Sequence, residues 1–199
     1  MTIRLPLAFP GQRIGLLGGS FDPPHQGHVH ISRRALRRAG LDRVWWLVSP
    51  GNPLKERGPA DLDRRLQACR TIAQHPKIVV SDVERHLASP YTAHTLAFLC
   101  RRNPGVRFVW LMGADNLAQF HRWENWRWII ETFPMLVFAR PGQQLAAGLG
   151  AAARAYPHLR RPPDAAPLLG LDGGPGWALL PGPMTDISST RLRAQSDWP

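Results

Sequence analysis

His25 and His28 are the residues whose type and spacing point most directly to chemistry in this sequence. They close the run Gly18-Gly19-Ser20-Phe21-Asp22-Pro23-Pro24-His25-Gln26-Gly27-His28, which follows a short apolar stretch, Ile14 to Leu17, and leads into a segment of helical period. Three residues apart at a helix entrance, the two imidazoles can face the same side. The helix start adds unpaired N–H groups and the positive end of its dipole, so the turn suits a phosphate. Adjacent glycines let such an anion approach the backbone without a Cβ in the way. Gly15, Gly18 and Gly19 are wrongly spaced for Gly-x-Gly-x-x-Gly, and no Gly-Lys pair exists for a Walker loop, so the histidines carry the binding chemistry instead. A zinc site built from His25, His28 and His30 is the other reading, but no carboxylate or thiol accompanies them at ligand spacing.

Other residues fit the same picture one by one. Lys55, one of only two lysines, lies in a loop that the fold pattern brings beside the first turn, and it can take a phosphate. Asp115 follows Gly113-Ala114 at the end of an apolar run, where it can accept from sugar hydroxyls or cap a helix. Near the C-terminus, Ser188, Ser189 and Thr190 read as the cap of a closing helix, and Arg193 falls one turn into it, so the guanidinium and the cap's N–H groups can converge on phosphate. Trp123, Trp126 and Trp128 cluster behind the Gly-Ala-Asp turn; Trp126 matches the helical stripe of Ile129 and Ile130 and is expected in the core, whereas Trp123 precedes it.

These groups need a scaffold, and the hydrophobic pattern supplies one. Short apolar runs alternate with helix-period segments over the first 140 residues, the signature of an α/β, Rossmann-like parallel sheet with helices on both faces. Strands are predicted at 14–17, 44–48, 78–80, 108–112, 135–139 and 177–180. Helices are predicted over 27–39, stopped by Gly40; along Leu62, Leu66, Cys69 and Ala73; over 92–100; around Trp126; and near 144–156. Residues 157–175 are too rich in Pro and Gly for a stable element and are expected to form a loop.

At 199 residues and 44% hydrophobic content the chain fits a single domain, 1–199, with a buried core. No stretch approaches the ~20 apolar residues of a membrane span, and the first ten residues lack a signal peptide's apolar core, so a cytoplasmic protein is expected. Cys69 and Cys100 fall at apolar helical positions and imply core thiols rather than a disulfide or Cys-based zinc site. A net charge of +11 favours polyanionic ligands, which leaves two classes: a nucleotide or phosphate enzyme, or a nucleic-acid-binding module. The second would need aromatics interleaved with basic residues on a strand face, and the arginine pairs here fall mostly on helices.

The opening run resembles the Gly-Gly-Ser-Phe-Asp-Pro-Pro-His-x-Gly-His motif of the His-x-Gly-His nucleotidyltransferase superfamily, and within it the bacterial nicotinate-nucleotide adenylyltransferases. Ile187-Ser188-Ser189-Thr190-Arg191-Leu192-Arg193 resembles the closing motif of that family, and Pro53-Leu54-Lys55, Tyr91 to Leu96, Gly113-Ala114-Asp115 and Phe120 to Trp123 fall where it has matching elements. The resemblance implies transfer of AMP from ATP to nicotinate mononucleotide, with diphosphate released, in NAD biosynthesis. It implies His25, His28, Lys55 and Arg193 as catalytic residues. It places ATP against Gly18, Gly19, Ser20, Phe21, Gly113, Asp115, Ser188, Ser189 and Thr190, and the mononucleotide against Ser20, Tyr91, Thr92, Trp123 and Glu124. Mg²⁺ is the implied cofactor, held mainly by the ATP phosphates without a protein metal site. Sister activities on nicotinamide mononucleotide or phosphopantetheine share this chemistry. Small molecules are the expected partners, with no nucleic acid and no membrane; assembly into a homo-oligomer is left open. Because Glu124 would repel a carboxylate if it turned inward, its side chain is expected to face solvent, with only its backbone used.

Overall fold

Every strand of the sheet pairs in parallel with its neighbours, as the alternating pattern requires. A computed structural model of the chain describes residues 3–51, 58–139, 150–171, 174–182, 189, 192–193 and 198. In chain order its strands are β1 (Arg13–Gly19), β2 (Arg43–Val48), β3 (Ile78–Ser81), β4 (Arg107–Gly113), β5 (Pro134–Phe138), β6 (Arg160–Arg161) and β7 (Gly176–Leu180). The helices are α1 (Gln26–Arg38), α2 (Leu62–Ile72), α3 (Thr92–Arg102), α4 (Ala114–Gln119), α5 (Trp126–Thr132) and α6 (Ala151–Ala155). Among the described residues no helix is long and apolar enough to cross a membrane.

The strand order is β3-β2-β1-β4-β5-β7-β6. From β1 the chain steps outward through β2 and β3, then returns to the other side of β1 with β4. That reversal opens a crevice beyond the carboxyl ends of β1 and β4, where ligands bind in open parallel sheets.

Strand side chains alternate between the two sheet faces and so divide the core. On one face Leu16, Trp45, Leu47, Trp110, Met112 and Trp177 pack under α3, α4, α5 and α6. On the other, Leu17, Trp46, Val48, Leu111, Leu136 and Phe138 pack under α1 and α2. Because both faces are covered, β2 reads as a continuous apolar run, Val-Trp-Trp-Leu-Val, all of it buried.

Several local expectations change. Gly40 adopts φ +58 just past α1, the left-handed conformation that glycine reaches cheaply, so it ends the helix as anticipated. Cys69 is in the core, where burial pushes its thiol up to about 12, but Cys100 is exposed, since the buried face of α3 runs through Ala93, Leu96 and Leu99. Trp126 is half-buried rather than central, its ring edge-on to Phe120 and Tyr156. The 157–175 stretch is more than a loop: β6 pairs with β7 at the sheet edge, and Ala166 and Leu169 are buried against the α1 face. Its prolines flank the two-residue strand instead of interrupting it, so none has to donate into the ladder. Of the helix expected near 144–156, residues 151–155 are helical and 140–149 lie outside the described residues.

Candidate active site

The β1–α1 turn is held together by its own histidines. His25 is the N-cap of α1, and its Nδ1 accepts from the Gly27 N–H at 3.1 Å. His28 Nδ1 accepts in turn from the His25 N–H at 3.1 Å, completing a reciprocal capping box in imidazole. An Nδ1 that accepts leaves the ring proton on Nε2, so each imidazole is a donor through Nε2. The two rings lie 3.9 Å apart, and His28 also rests on Phe21 at 4.6 Å. Phe21 holds φ +47, a strained value for a side chain of that size, and the strain is kept in place because the ring is buried and stacked on Trp46 at 5.1 Å. Of Phe21, a ligand can therefore meet mainly backbone.

Two groups that sequence reasoning passed over fix this turn. Arg65 on α2 is fully buried and donates to the carbonyls of Ala60, Ser20 and Ser49, each at 2.7 Å, so one guanidinium ties the end of β1 to the end of β2. Burial lowers its pKa, against the opposing pull of Asp22, Cys69 and Asp61. In sequence it looked like one more surface arginine; only the packing of α2 shows otherwise. Asp22, equally buried, is the second group. Its Oδ2 accepts from Arg193 Nη1 at 2.8 Å, its backbone oxygen from the same nitrogen at 2.6 Å, and its Oδ1 from Trp198 Nε1 at 2.7 Å. Ser189 Oγ donates to the Pro23 carbonyl at 2.9 Å. The closing motif is thereby docked on the opening one, across more than 160 residues of sequence. Arg193 is engaged with Asp22, yet both bonds run through Nη1 and a guanidinium carries five donors, so the pair does not exhaust it.

A cleft of about 210 Å³ opens beside the turn at the strand-order reversal. Gly18 and Gly19 from β1, Ser20 just after it, Ser49 and Gly51 after β2, and Tyr91 and Thr92 at the start of α3 line it on one side. Trp110, Asn116, Gln119, Arg122, Trp123 and Glu124 line it on the other. Tyr91 is the N-cap of α3, whose first amides have no acceptor inside the helix, so donors stand where the helix meets the cleft. Gly18 has a different use from the one expected: a methyl there would run into the Trp110 indole, so its missing side chain makes room for that ring. At Gly19 a methyl would meet only Phe21 at ordinary distance, which leaves the backbone open to a ligand.

The structure thus gathers Gly18, Gly19, Ser20, Tyr91, Thr92, Trp123 and Glu124 around one cleft, with His25 and His28 beside it at the entrance of α1. Asp115 is exposed at the second position of α4; the N-cap there is Gly113, with no side-chain cap bond, so the capping reading of Asp115 fails. Asp115 instead folds back over Gly113, where any side chain would collide with its carboxylate. Lys55, Ser188 and Thr190 lie outside the described residues.

Glu124 departs from expectation most sharply. It lines the cleft, with Oε1 accepting from Asn125 Nδ2 and Oε2 buried with no hydrogen-bond partner. Asn125 sits at φ +50, and this left-handed residue shapes the turn that follows Glu124. Glu84, also unanticipated, brings a second acid: its Oε1 accepts from Thr95 Oγ1 at 3.1 Å. Burial pushes the Glu84 carboxyl up to about 7, against the opposing pull of hydrogen bonds from Thr95 and Ser49. Among the described residues no group of three His, Cys, Asp or Glu side chains is placed to hold a metal ion. The donor set of the turn, imidazole and backbone N–H, suits phosphate oxygens rather than a bare cation, which fits Mg²⁺ arriving on the phosphates of a nucleotide.

Comparison with known proteins agrees with this arrangement. The cytidylyltransferase-like family model matches residues 16–195. A protein of Ruegeria pomeroyi named "Probable nicotinate-nucleotide adenylyltransferase" is 58% identical over 97% of this chain and 91% of its own length. One of the same name from Cereibacter sphaeroides is 58% identical over 93% of this chain and 98% of its own. The solved structure of a Plasmodium falciparum nicotinic acid mononucleotide adenylyltransferase complexed with NaAD aligns with a TM-score of 0.70 at 16% identity, over 92% of this chain and 83% of that one, a likeness of fold. With a family model spanning nearly the whole sequence and relatives more than half identical along it, the chain belongs to the cytidylyltransferase-like family, among the bacterial nicotinate-nucleotide adenylyltransferases.

Proposed function

We propose that this chain transfers the AMP part of ATP to nicotinate mononucleotide, releasing diphosphate and forming nicotinate adenine dinucleotide. The observation that carries the reading is the paired histidine cap of α1, which fixes two imidazoles as Nε2–H donors at the carboxyl end of β1. The acceptor's phosphate is already an anion at neutral pH and needs no general base from the protein. Catalysis then comes from holding that phosphate in line with the α-phosphorus and stabilising the charge that builds on the α-phosphate oxygens. His28 donates to those oxygens, and His25 orients the same group. Arg193, held by Asp22, faces the departing diphosphate, and Lys55 assists it. Gly18, Gly19, Ser20, Gly113, Asp115 and the Ser188–Thr190 cap bind ATP, while Tyr91, Thr92 and Trp123 receive the pyridine mononucleotide. Mg²⁺, where bound, would be held mainly by the ATP phosphates and would supply neutralisation of their charge.

A carboxylate seeks N–H donors and positive potential, whereas a carboxamide would confront those donors with its own NH₂. The start of α3 and the net charge of +11 favour the nicotinate acceptor on this ground. A diphosphate-release assay with ATP, Mg²⁺ and nicotinate, nicotinamide and phosphopantetheine acceptors tests the reading. The highest kcat/KM is expected for nicotinate mononucleotide; equal or greater efficiency with another acceptor would reassign the chain to a sister activity.

A further inference from the structure

Trp198 lies just beyond Arg193 in the chain and reaches back to the opening motif. Its Nε1 donates to Asp22 Oδ1 at 2.7 Å, while Oδ2 of the same carboxylate accepts from Arg193 Nη1 at 2.8 Å. Asp22 is buried, so each of its oxygens needs a donor. Oδ1 also meets the Ala60 N–H, but at 3.4 Å, beyond the ordinary range for such a bond. The indole is itself placed by α2, where the Arg64 guanidinium lies over its ring at 4.8 Å from the centroid. The start of α2 therefore holds Trp198 through one arginine and the end of β1 through the next, Arg65.

The proposed reaction gives Arg193 the departing diphosphate, and this step rests on that reading. A guanidinium is planar, so the bonds at one nitrogen settle where its other donors point. Nη1 donates to the Asp22 backbone oxygen at 2.6 Å and to Oδ2, and a turn of the carboxylate about its own axis would break the second of these bonds. We infer that Trp198 is a positioning residue for the nucleoside triphosphate. By holding Oδ1 it fixes the plane of the Asp22 carboxylate, and through Oδ2 the plane of the Arg193 guanidinium, so the remaining donors meet the phosphates already oriented. The donor's neutrality matters. A second cation in its place would compete with Arg193 for the carboxylate, whereas an indole N–H satisfies Oδ1 and leaves the ion pair intact.

Binding of an ATP analogue with a non-hydrolysable α–β bridge, measured with Mg²⁺ and without acceptor, isolates this step from the identity of the acceptor. Trp198→Phe keeps a ring for Arg64 and loses the N–H. It is expected to raise Kd for the analogue about fivefold, part of the value of a hydrogen bond to a charged group. In the complete reaction KM for ATP should rise by the same factor while KM for nicotinate mononucleotide is unchanged. Arg193→Ala separates an effect routed through the guanidinium from a general one: in that background Trp198→Phe should add nothing to the loss. The same loss in both backgrounds would make Trp198 a packing residue and overturn the inference, as would an unchanged Kd in Trp198→Phe alone. Should Arg193→Ala not fold, Asp22→Asn takes its place as the background, because the route runs through that carboxylate, and the same two outcomes decide. If Arg193→Ala leaves the analogue's Kd unchanged, the reading of Arg193 as a phosphate ligand falls and this inference with it; if it weakens binding and Trp198→Phe is silent, only this inference does.

Discussion

The β1–α1 turn and the wall from Arg122 to Asn125 border the same site, but they differ in how their polar groups are spent. At the turn, His25, His28 and Arg65 bond to backbone groups or to one another, and Asp22 bonds to the side chains of Arg193 and Trp198. At the wall, Arg122 has no ion-pair partner among the described residues and Glu124 keeps a buried oxygen without a bond. The turn is therefore finished before any ligand arrives, as electrostatic stabilisation of a transition state requires. The wall keeps one buried oxygen, on Glu124, without a partner among the described residues.

The sharpest way to break this contrast is His28→Ala. Removal of one preorganised donor commonly costs ~10²–10³ in rate, and kcat should fall by that much with the fold intact by circular dichroism. Near-native turnover would sink the assignment of catalysis to the turn.

Arg65→Met comes next, because it takes the charged donor away from three buried carbonyls at once. A loss on the order of 3 kcal/mol is expected in urea unfolding, with activity reduced in whatever fraction remains folded. A variant as stable as the native protein would mean that the turn does not depend on this bracket.

Arg193→Ala sharpens the division within the site. Charge-assisted bonds to phosphate are strong, so the KM for ATP should rise by roughly tenfold while the KM for the acceptor changes little. A shift confined to the acceptor would place Arg193 on the other side of the comparison.

The smallest effect concerns Glu84, the other acid that lines the cleft. The unfolded chain releases this proton near the ordinary value of 4.5, whereas the folded protein holds it until about 7. Between those values the unfolded state binds fewer protons, so the contribution of Glu84 to stability is complete below about 4.5 and is lost as pH rises through about 7. Glu84→Gln removes that dependence. Its thermal midpoint, measured against the native protein, should compare more favourably at pH 8 than at pH 5; a constant difference across that range would argue against a buried, proton-holding carboxyl.

How much of this was legible beforehand depends on whether a residue's role is local. The strands were read to within two residues at most ends because buried parallel strands are short apolar runs, and α1 was bounded by His25 and Gly40, which act on their immediate neighbours. The histidine pair stood out for the same reason, since the features of a helix start are carried by a few consecutive residues, but its capping role was supplied by the structure. Arg65 was missed because its partners, Ser20 and Ser49, are 45 and 16 residues away. Glu124 was expected in solvent because charge alone argued for it, and the short turn through left-handed Asn125 placed it in the cleft instead.

The sequence by itself determined the parallel α/β architecture, the position of the histidine-bearing β1–α1 turn and the family, since each is written in patterns shorter than a single βα unit or in motifs that stand in order along the chain. Only the tertiary structure decided which charges are buried and what they face. It turned Arg65 inward, joined Arg193 and Trp198 to Asp22 and left one buried oxygen of Glu124 without a hydrogen-bond partner among the described residues. The physical reason is that the cost of a charge depends on its surroundings in three dimensions, and those come from segments that sequence order keeps far apart.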